Sequence, residues 1–393
     1  MDKSFVLGVI SLVRSALTGE KATLPDDFDF ERAYRLAKSH HVIQLLYYGI
    51  INSDIKLEKA LNRQYFAAAC QNIVVVENQK FEFSMLADEF EKNGIDYMPL
   101  KGSVIRFIYP KPDMRSMGDT DILIRSEQYE KIVSILKKSG FTFVKENLNE
   151  ICWDKNKLYF ELHRYLVSPL HKDYFKFFGD GWQFAKRAEG SKHRYEMNNE
   201  DFFIFLFAHF AKHYRSSGIG IKHITDIWVY LREKPNMDIN YVKQALEKLN
   251  LLNFYENIIR TVNAWFENKD FDEVTYFITE KIFASGAFGT RDSYVKSSAL
   301  KTLKTGKAKN ARIHNIFTAV FLPYANMCQL FPILKKAPIL LPFMWIYRGL
   351  YTIIFKRKLF KRYCESIKSI SNSELLQYEK ELNFVGLDYY YEE

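Results

Sequence analysis

Asp119 and Asp121 head the run Asp-Thr-Asp-Ile-Leu-Ile, which ends in β-forming residues. In a strand, residues i and i+2 point to one face, about 6.5 to 7 Å apart. Carboxylates presented this way can bridge a pair of Mg²⁺ ions, which two-metal phosphoryl-transfer sites hold about 3.5 to 4 Å apart. Two solvated aspartates on a surface strand would show the same spacing, so the pair alone does not make a site. Upstream lies Leu100-Lys101-Gly102-Ser103, between an expected strand from Gly94 to Leu100 and a helical turn from Val104 to Tyr109 that Pro110 and Pro112 end. At such a junction, free backbone N–H groups and the helix dipole favour an anion. There Gly102 lets the backbone approach a phosphate, Ser103 offers a hydroxyl and Lys101 a positive charge.

A third acid follows. From Lys157 to Leu166 the pattern alternates, with Tyr159, Glu161 and His163 on one side and Leu158, Phe160 and Leu162 on the other, as in a strand with one apolar face. If this strand lies beside the Asp119 strand, Glu161 completes an all-oxygen metal site or takes the proton of an attacking hydroxyl. His163 shares its face, as a partner of that carboxylate or as a substrate-binding group.

The elements that must position these residues are mixed. Residues 1–92 read as helical: an amphipathic first helix over Phe5 to Leu17, a break at Pro25-Asp26-Asp27, the helical period again from Phe30 to Ile51, and a long helix from Leu57 to Asn93. Residues 93–169 form the α/β segment, with Glu127 to Ser139 as crossover helix stopped by Gly140, and further strands at Phe141 to Val144 and Ile151 to Trp153. Residues 170–300 return to helices, and 301–393 form a basic helical region. The fold class expected is α+β: a small mixed sheet flanked by helical regions.

Taken together, these pieces resemble the DNA polymerase β nucleotidyltransferase superfamily, with its Gly-Ser turn, Asp-x-Asp strand and later acid on a neighbouring strand. Closer still, the chain looks like the bacterial family of uncharacterised nucleotidyltransferases. That resemblance rests on Leu100-Lys101-Gly102, on Arg115, on Asp119-Thr120-Asp121-Ile122-Leu123 and on Glu161-Leu162-His163. Glu161 stands where that family more often has Asp, and Arg164 where an aromatic residue is usual. The resemblance implies a Mg²⁺-dependent enzyme that attaches a nucleoside monophosphate from an NTP to an acceptor hydroxyl. Asp119, Asp121 and Glu161 would hold two ions, and Lys101, Gly102, Ser103 and Arg115 the phosphates. Arg115 suits a triphosphate by its fork of donors, or an ion pair with Asp113 or Asp119. The resemblance also picks out His209 and Asp226, for nucleotide or acceptor binding or for bracing their helix against the sheet. The acceptor stays open: a small molecule, a glycan or a protein side chain would satisfy the same chemistry. A catalytically degenerate fold that binds a nucleotide or a membrane-linked partner is the alternative.

Other motifs exclude classes. His209 and His213, four apart, share a helix face, but Phe210 stands where a zinc protease needs Glu. Gly218-Ile219-Gly220 lacks the third glycine and the strand of a dinucleotide fingerprint. The 4 cysteines show no Cys-x-x-Cys spacing, which argues against a zinc ribbon or disulfide scaffold and fits a reducing cytoplasm. Charge is uneven: Ser293 to Cys364 holds 14 Lys and Arg and no Asp or Glu, and residues 301–393 carry +8 of the chain's +9. Ala337 to Phe355 is apolar apart from Arg348 and runs into Lys356-Arg357-Lys358. Residues 335–362 therefore read either as an interfacial helix on an anionic membrane or as a buried helix covering the core. Arg348, Pro338 and Pro342 make it a poor transmembrane span. No nucleic-acid module is recognisable, so specific nucleic-acid binding is not expected. The protein is placed in the cytoplasm, or peripheral to the inner face of the membrane.

Overall fold

A computed structural model describes residues 2–287, 289–304, 321–322, 324–357, 361 and 371–387. Of the basic residues that make the carboxy-terminal region positive, Lys307, Lys309, Arg312, Lys358, Arg362 and Lys368 lie outside them.

The chain opens on four helices: α1 (Lys3–Thr18), α2 (Phe30–His40), α3 (Ile43–Asn52) and α4 (Lys59–Asn93). Asp2 caps α1 by accepting from the Ser4 and Phe5 amides. The helical period expected to run unbroken from Phe30 to Ile51 is interrupted after α2, where His41 takes a left-handed conformation. The 35 residues of α4 end at Gly94, also left-handed, with the Ile95 amide bonded back to the Phe90 carbonyl.

Five strands follow: β1 (Tyr97–Pro99), β2 (Asp119–Ile124), β3 (Thr142–Glu146), β4 (Glu150–Lys155) and β5 (Leu158–His163). They form a mixed sheet in the order β1-β2-β5-β4-β3, in which β2 and β5 are parallel and the other pairs antiparallel. Between β1 and β2 stand the single turn α5 (Gly102–Ile105) and two short 3₁₀ turns. The crossover helix α6 (Tyr129–Lys138) joins β2 to the antiparallel β3–β4–β5 run.

The period of two in β2 and β5 sorts side chains between two faces. Ile122, Ile124, Phe160 and Leu162 turn one way, into an apolar cluster with Leu86 and Phe90 of α4 and with Ile132, Ile135 and Leu136 of α6. Leu123 turns the other way, into a larger core that reaches from Phe5 of α1 to Leu387. That core is dominated by α8 (Asn199–Ser216), which follows the short α7 (Lys172–Phe178), and by α9 (Ile221–Glu233), α10 (Ile239–Lys248), α11 (Leu252–Phe266) and α12 (Glu273–Ser285). Helix α8 buries Phe202, Phe203, Phe205, Phe207 and Phe210 on several sides at once, so it cannot be a surface helix. The polar face of the sheet thus meets α8 and α9. Beyond α13 (Arg291–Lys304), the helix Leu341–Phe355 stands with a small apolar cluster of its own around Met327, Cys328 and Leu334, and the helix Asn372–Phe384 returns Leu382 to the main core.

Candidate functional site

Parallel pairing of β2 with β5 puts Asp121 directly opposite Glu161 and Leu123 opposite His163. Antiparallel pairing of β5 with β4 adds Glu150 opposite His163 and Cys152 opposite Glu161. Asp119, Asp121, Glu161 and Glu150 line one cavity of about 330 Å³, whose far wall is built by His209, Lys212 and His213 of α8 and by Lys222, His223 and Asp226 of α9. Residues about 100 positions apart in the chain therefore face one another across a space large enough for a small ligand.

Asp121 is the most committed of the acids. Its Oδ1 accepts from Lys101 Nζ at 2.7 Å and from His163 Nε2 at 2.7 Å. Burial alone would raise its pKa, but the Lys101 charge and the His163 hydrogen bond bring it well below the ordinary carboxylate range. The same pair lifts Lys101 above its usual value against the effect of burial. His163 is fixed from behind as well, since its Nδ1 lies 3.5 Å from the Asn149 side-chain amide. Asp119 and Glu161 go the opposite way. Burial and the Asp121 charge push Asp119 up, and burial with the charges of Asp119 and Asp121 pushes Glu161 up. The Cys152 thiol donates to Glu161 Oε1 at 3.4 Å, and its own pKa is pushed up to about 12 by burial and by that carboxylate. Burial also raises Glu150, yet the nearby His163 and the Asn147 hydrogen bond hold it below its ordinary value.

Asp121, Glu161 and His163 each offer a ligand atom, and these lie within 4.8 Å of one another. Asp119 is outside this tightest group but lines the same cavity. Crowded carboxylates whose pKa values are driven apart are the chemistry a hard dication relieves, so the donor set fits Mg²⁺ or a similar ion.

Of the phosphate-side residues, Lys101, Gly102 and Arg115 line the cavity, each also bonded to or packed against protein. Lys101 is engaged with Asp121. The Ser103 hydroxyl is buried, lacks a hydrogen-bond partner and is not part of the cavity lining. Gly102 does line it, but its missing side chain makes room for protein: a Cβ there would meet Arg115 Nη1 at 2.4 Å and Met117 Sδ at 2.5 Å. Lys101, not Gly102, takes the unusual backbone, with φ 46° and ψ −119°. Arg115 pairs with neither Asp113 nor Asp119; its Nε and Nη2 donate to the two carboxylate oxygens of Asp226 at 3.0 and 2.8 Å. Tyr109 Oη adds a third bond to Asp226 at 2.7 Å. Asp226 is the point at which α9 is tied to the loop that carries the site. Arg164, at the position that departs from the family pattern, lies with its guanidinium over the Tyr129 ring at 5.5 Å.

His209 and His213 do share a face, with ring centroids 4.4 Å apart, and His223 joins them at 6.4 Å from His213. Burial, the largest cause, depresses all three, His223 to about 3, so the imidazoles are neutral near pH 7. Lys212 and Lys222 escaped the sequence reading. Burial and the like charges of Lys101 and Arg115, respectively, lower each to about 8. A lysine on a helix ordinarily reads as solvated surface; the signal available was that each sits beside a His on a helix rich in apolar residues.

The family described as uncharacterised nucleotidyltransferase matches residues 26–267. No curated protein matches the chain. Two solved structures are similar. The solution structure of the antibiotic-resistance factor ANT(2'')-Ia is 11% identical, with a TM-score of 0.32 over 45% of this chain and 90% of that one. The crystal structure of an antigenic nucleotidyltransferase-like protein from Paracoccidioides brasiliensis is 17% identical, with a TM-score of 0.31 over 48% and 93%. At these scores neither likeness adds to the argument from geometry.

Proposed function

Because the chain belongs to the uncharacterised nucleotidyltransferase family, we propose that it transfers a nucleoside monophosphate from an NTP to an acceptor hydroxyl and releases pyrophosphate. The observation that carries this reading is the convergence of Asp119, Asp121 and Glu161 on one cavity whose opposite wall bears Lys212 and Lys222. Asp119, Asp121 and Glu161 would hold the divalent cations, two Mg²⁺ ions in this reading, which when bound supply positive charge to the phosphoryl oxygens.

In the reaction the acceptor oxygen attacks the α-phosphorus, the bond from that phosphorus to the bridging oxygen breaks, and pyrophosphate leaves with the electron pair. Glu161, its Oε1 held by the Cys152 thiol, either completes the cation site or takes the acceptor proton. Lys212 and Lys222 meet the charge of the β and γ phosphates from the helical wall, and their lowered pKa values keep them responsive to an arriving anion. Lys101 and His163 orient the Asp121 carboxylate. Arg115 contributes through Asp226, by holding α9 over the sheet. Most of the catalysis is placement and electrostatics.

The test is a labelled-NTP assay with Mg²⁺, reading pyrophosphate release or self-modification. Wild-type protein should turn over, and Asp119→Ala with Asp121→Ala should not, while its circular dichroism is unchanged. Retained turnover in that double variant refutes the site. Binding of NTP by the wild type without any release would instead favour a non-catalytic, nucleotide-binding fold.

A further inference from the structure

The helix Leu341–Phe355 is built inside out for a water-soluble surface. None of the 18 residues from Pro338 to Phe355 is buried, and the stretch is long and apolar enough to cross a membrane. Its two sides differ. Leu341, Met344 and Trp345 lie half-buried against the Met327–Leu334 cluster, and the one charged residue, Arg348, shares that half-buried stripe. The outward stripe is apolar: Phe343, Ile346, Leu350 and Ile354 recur at helical spacing of three and four, with Phe343 67% and Ile346 63% exposed. Ile339, just before the helix, is 83% exposed. A helix facing water would carry its charge outward and its leucines inward.

We infer that this outward stripe docks on a bilayer containing anionic lipid, lying in the interface and not crossing it. Three observations select that occupant. The stripe is apolar along its whole length, which suits the acyl boundary. It ends at exposed Lys356 and Arg357, where headgroup phosphates would be, and the sequence from Ser293 to Cys364 carries no Asp or Glu to repel them. The inner stripe stays in protein contact through the Trp345 indole, which donates to the Leu322 carbonyl at 2.9 Å. Crossing would expose Arg348, near the helix centre, to hydrocarbon. The inference is independent of the chemistry assigned to the cavity.

The test uses the full chain and sedimentation with sucrose-loaded vesicles of phosphatidylcholine, with and without phosphatidylserine. Wild-type protein should partition onto the mixed vesicles and be released by salt. Phe343→Glu with Leu350→Glu, both at outward positions, should cut partitioning at least about tenfold. Lys356→Gln with Arg357→Gln should weaken it by about 30-fold on phosphatidylserine vesicles and little on neutral ones. Unchanged partitioning in the Glu pair overturns the inference, as does a wild type that stays in the supernatant. A concentration-dependent dimer that the Glu pair dissociates, with no vesicle binding, overturns it in favour of self-association.

Discussion

The Arg115–Asp226 pair can be tested as a structural clamp. Asp226 is 3% exposed and Arg115 8%, and the carboxylate accepts three hydrogen bonds, two from Arg115 at 2.8 and 3.0 Å and one from Tyr109 at 2.7 Å. Burial works against the Arg115 charge, and the Asp226 carboxylate outweighs it and leaves the pKa raised. Asp226→Ala leaves a buried guanidinium without its counter-ion, which typically costs about 3 to 5 kcal/mol. That is about a 150- to 5,000-fold fall in the folded-to-unfolded ratio. Tyr109 keeps Thr225 Oγ1 at 2.9 Å, so its hydroxyl adds little to the loss. Arg115→Met with Asp226→Leu removes both charges and fills the space, and should recover most of what Asp226→Ala loses. Urea unfolding followed by tryptophan fluorescence reads both variants, because Trp228 lies buried in the same helix two residues on. A loss below about 1 kcal/mol for Asp226→Ala, or a double variant no better than that single one, would refute the clamp.

Three further outcomes follow from the site. Gly102→Ala should cost about 1 to 3 kcal/mol, because the Arg115 guanidinium, whose Nη1 would lie 2.4 Å from the new carbon, is held by Asp226 through Nε and Nη2 and cannot swing away; a thermal-shift assay showing no loss would argue against that crowding. Asp119 has a raised folded pKa, so the native state binds more protons than the unfolded chain between the ordinary value of 3.8 and the raised one, and stability falls as pH climbs through that window. In EDTA above that window, Asp119→Asn should therefore melt higher than wild type. Mg²⁺ at about 100 times its Kd should add about 2.7 kcal/mol to the wild type and much less to the variant, and equal Mg²⁺ responses would sink the assignment. Lys212 and Lys222, at about 8, are charged at pH 7 and lose charge as pH rises, so NTP affinity by calorimetry should fall between pH 7 and 9.5, by up to about 30-fold for each lysine; a flat profile would remove them from phosphate binding.

The strands were legible because their signal is local. The alternation in Leu158–His163 and the Asp-x-Asp head of β2 depend on neighbours one or two residues away, and both strands begin or end within a residue or two of the expected places. The crossover helix was equally plain, with Gly140 at its end. What could not be read is what arrives from a distance. Arg115 and Asp226 are 111 residues apart, and no spacing rule joins them. Lys212 and Lys222 become part of a cavity only because α8 and α9 bury nearly all their sides, which a one-faced helical period does not reveal. Ser103 was misplaced for a related reason: a hydroxyl in a turn has two directions open to it, and packing of α5 sends this one inward. The break at His41 escaped because the residues on either side continue the same apolar rhythm.

The backbone at Lys101 carries a last consequence. A φ of 46° with ψ of −119° is a conformation that side chains with a Cβ seldom tolerate, and holding one there costs about 1 to 3 kcal/mol. Glycine would relax that bend, yet it would strip Asp121 of its ammonium neighbour. Removing one partner of that buried pair costs about 3 to 5 kcal/mol, more than the bend stores, so position 101 keeps its strain because the ammonium it delivers is worth more than a relaxed backbone.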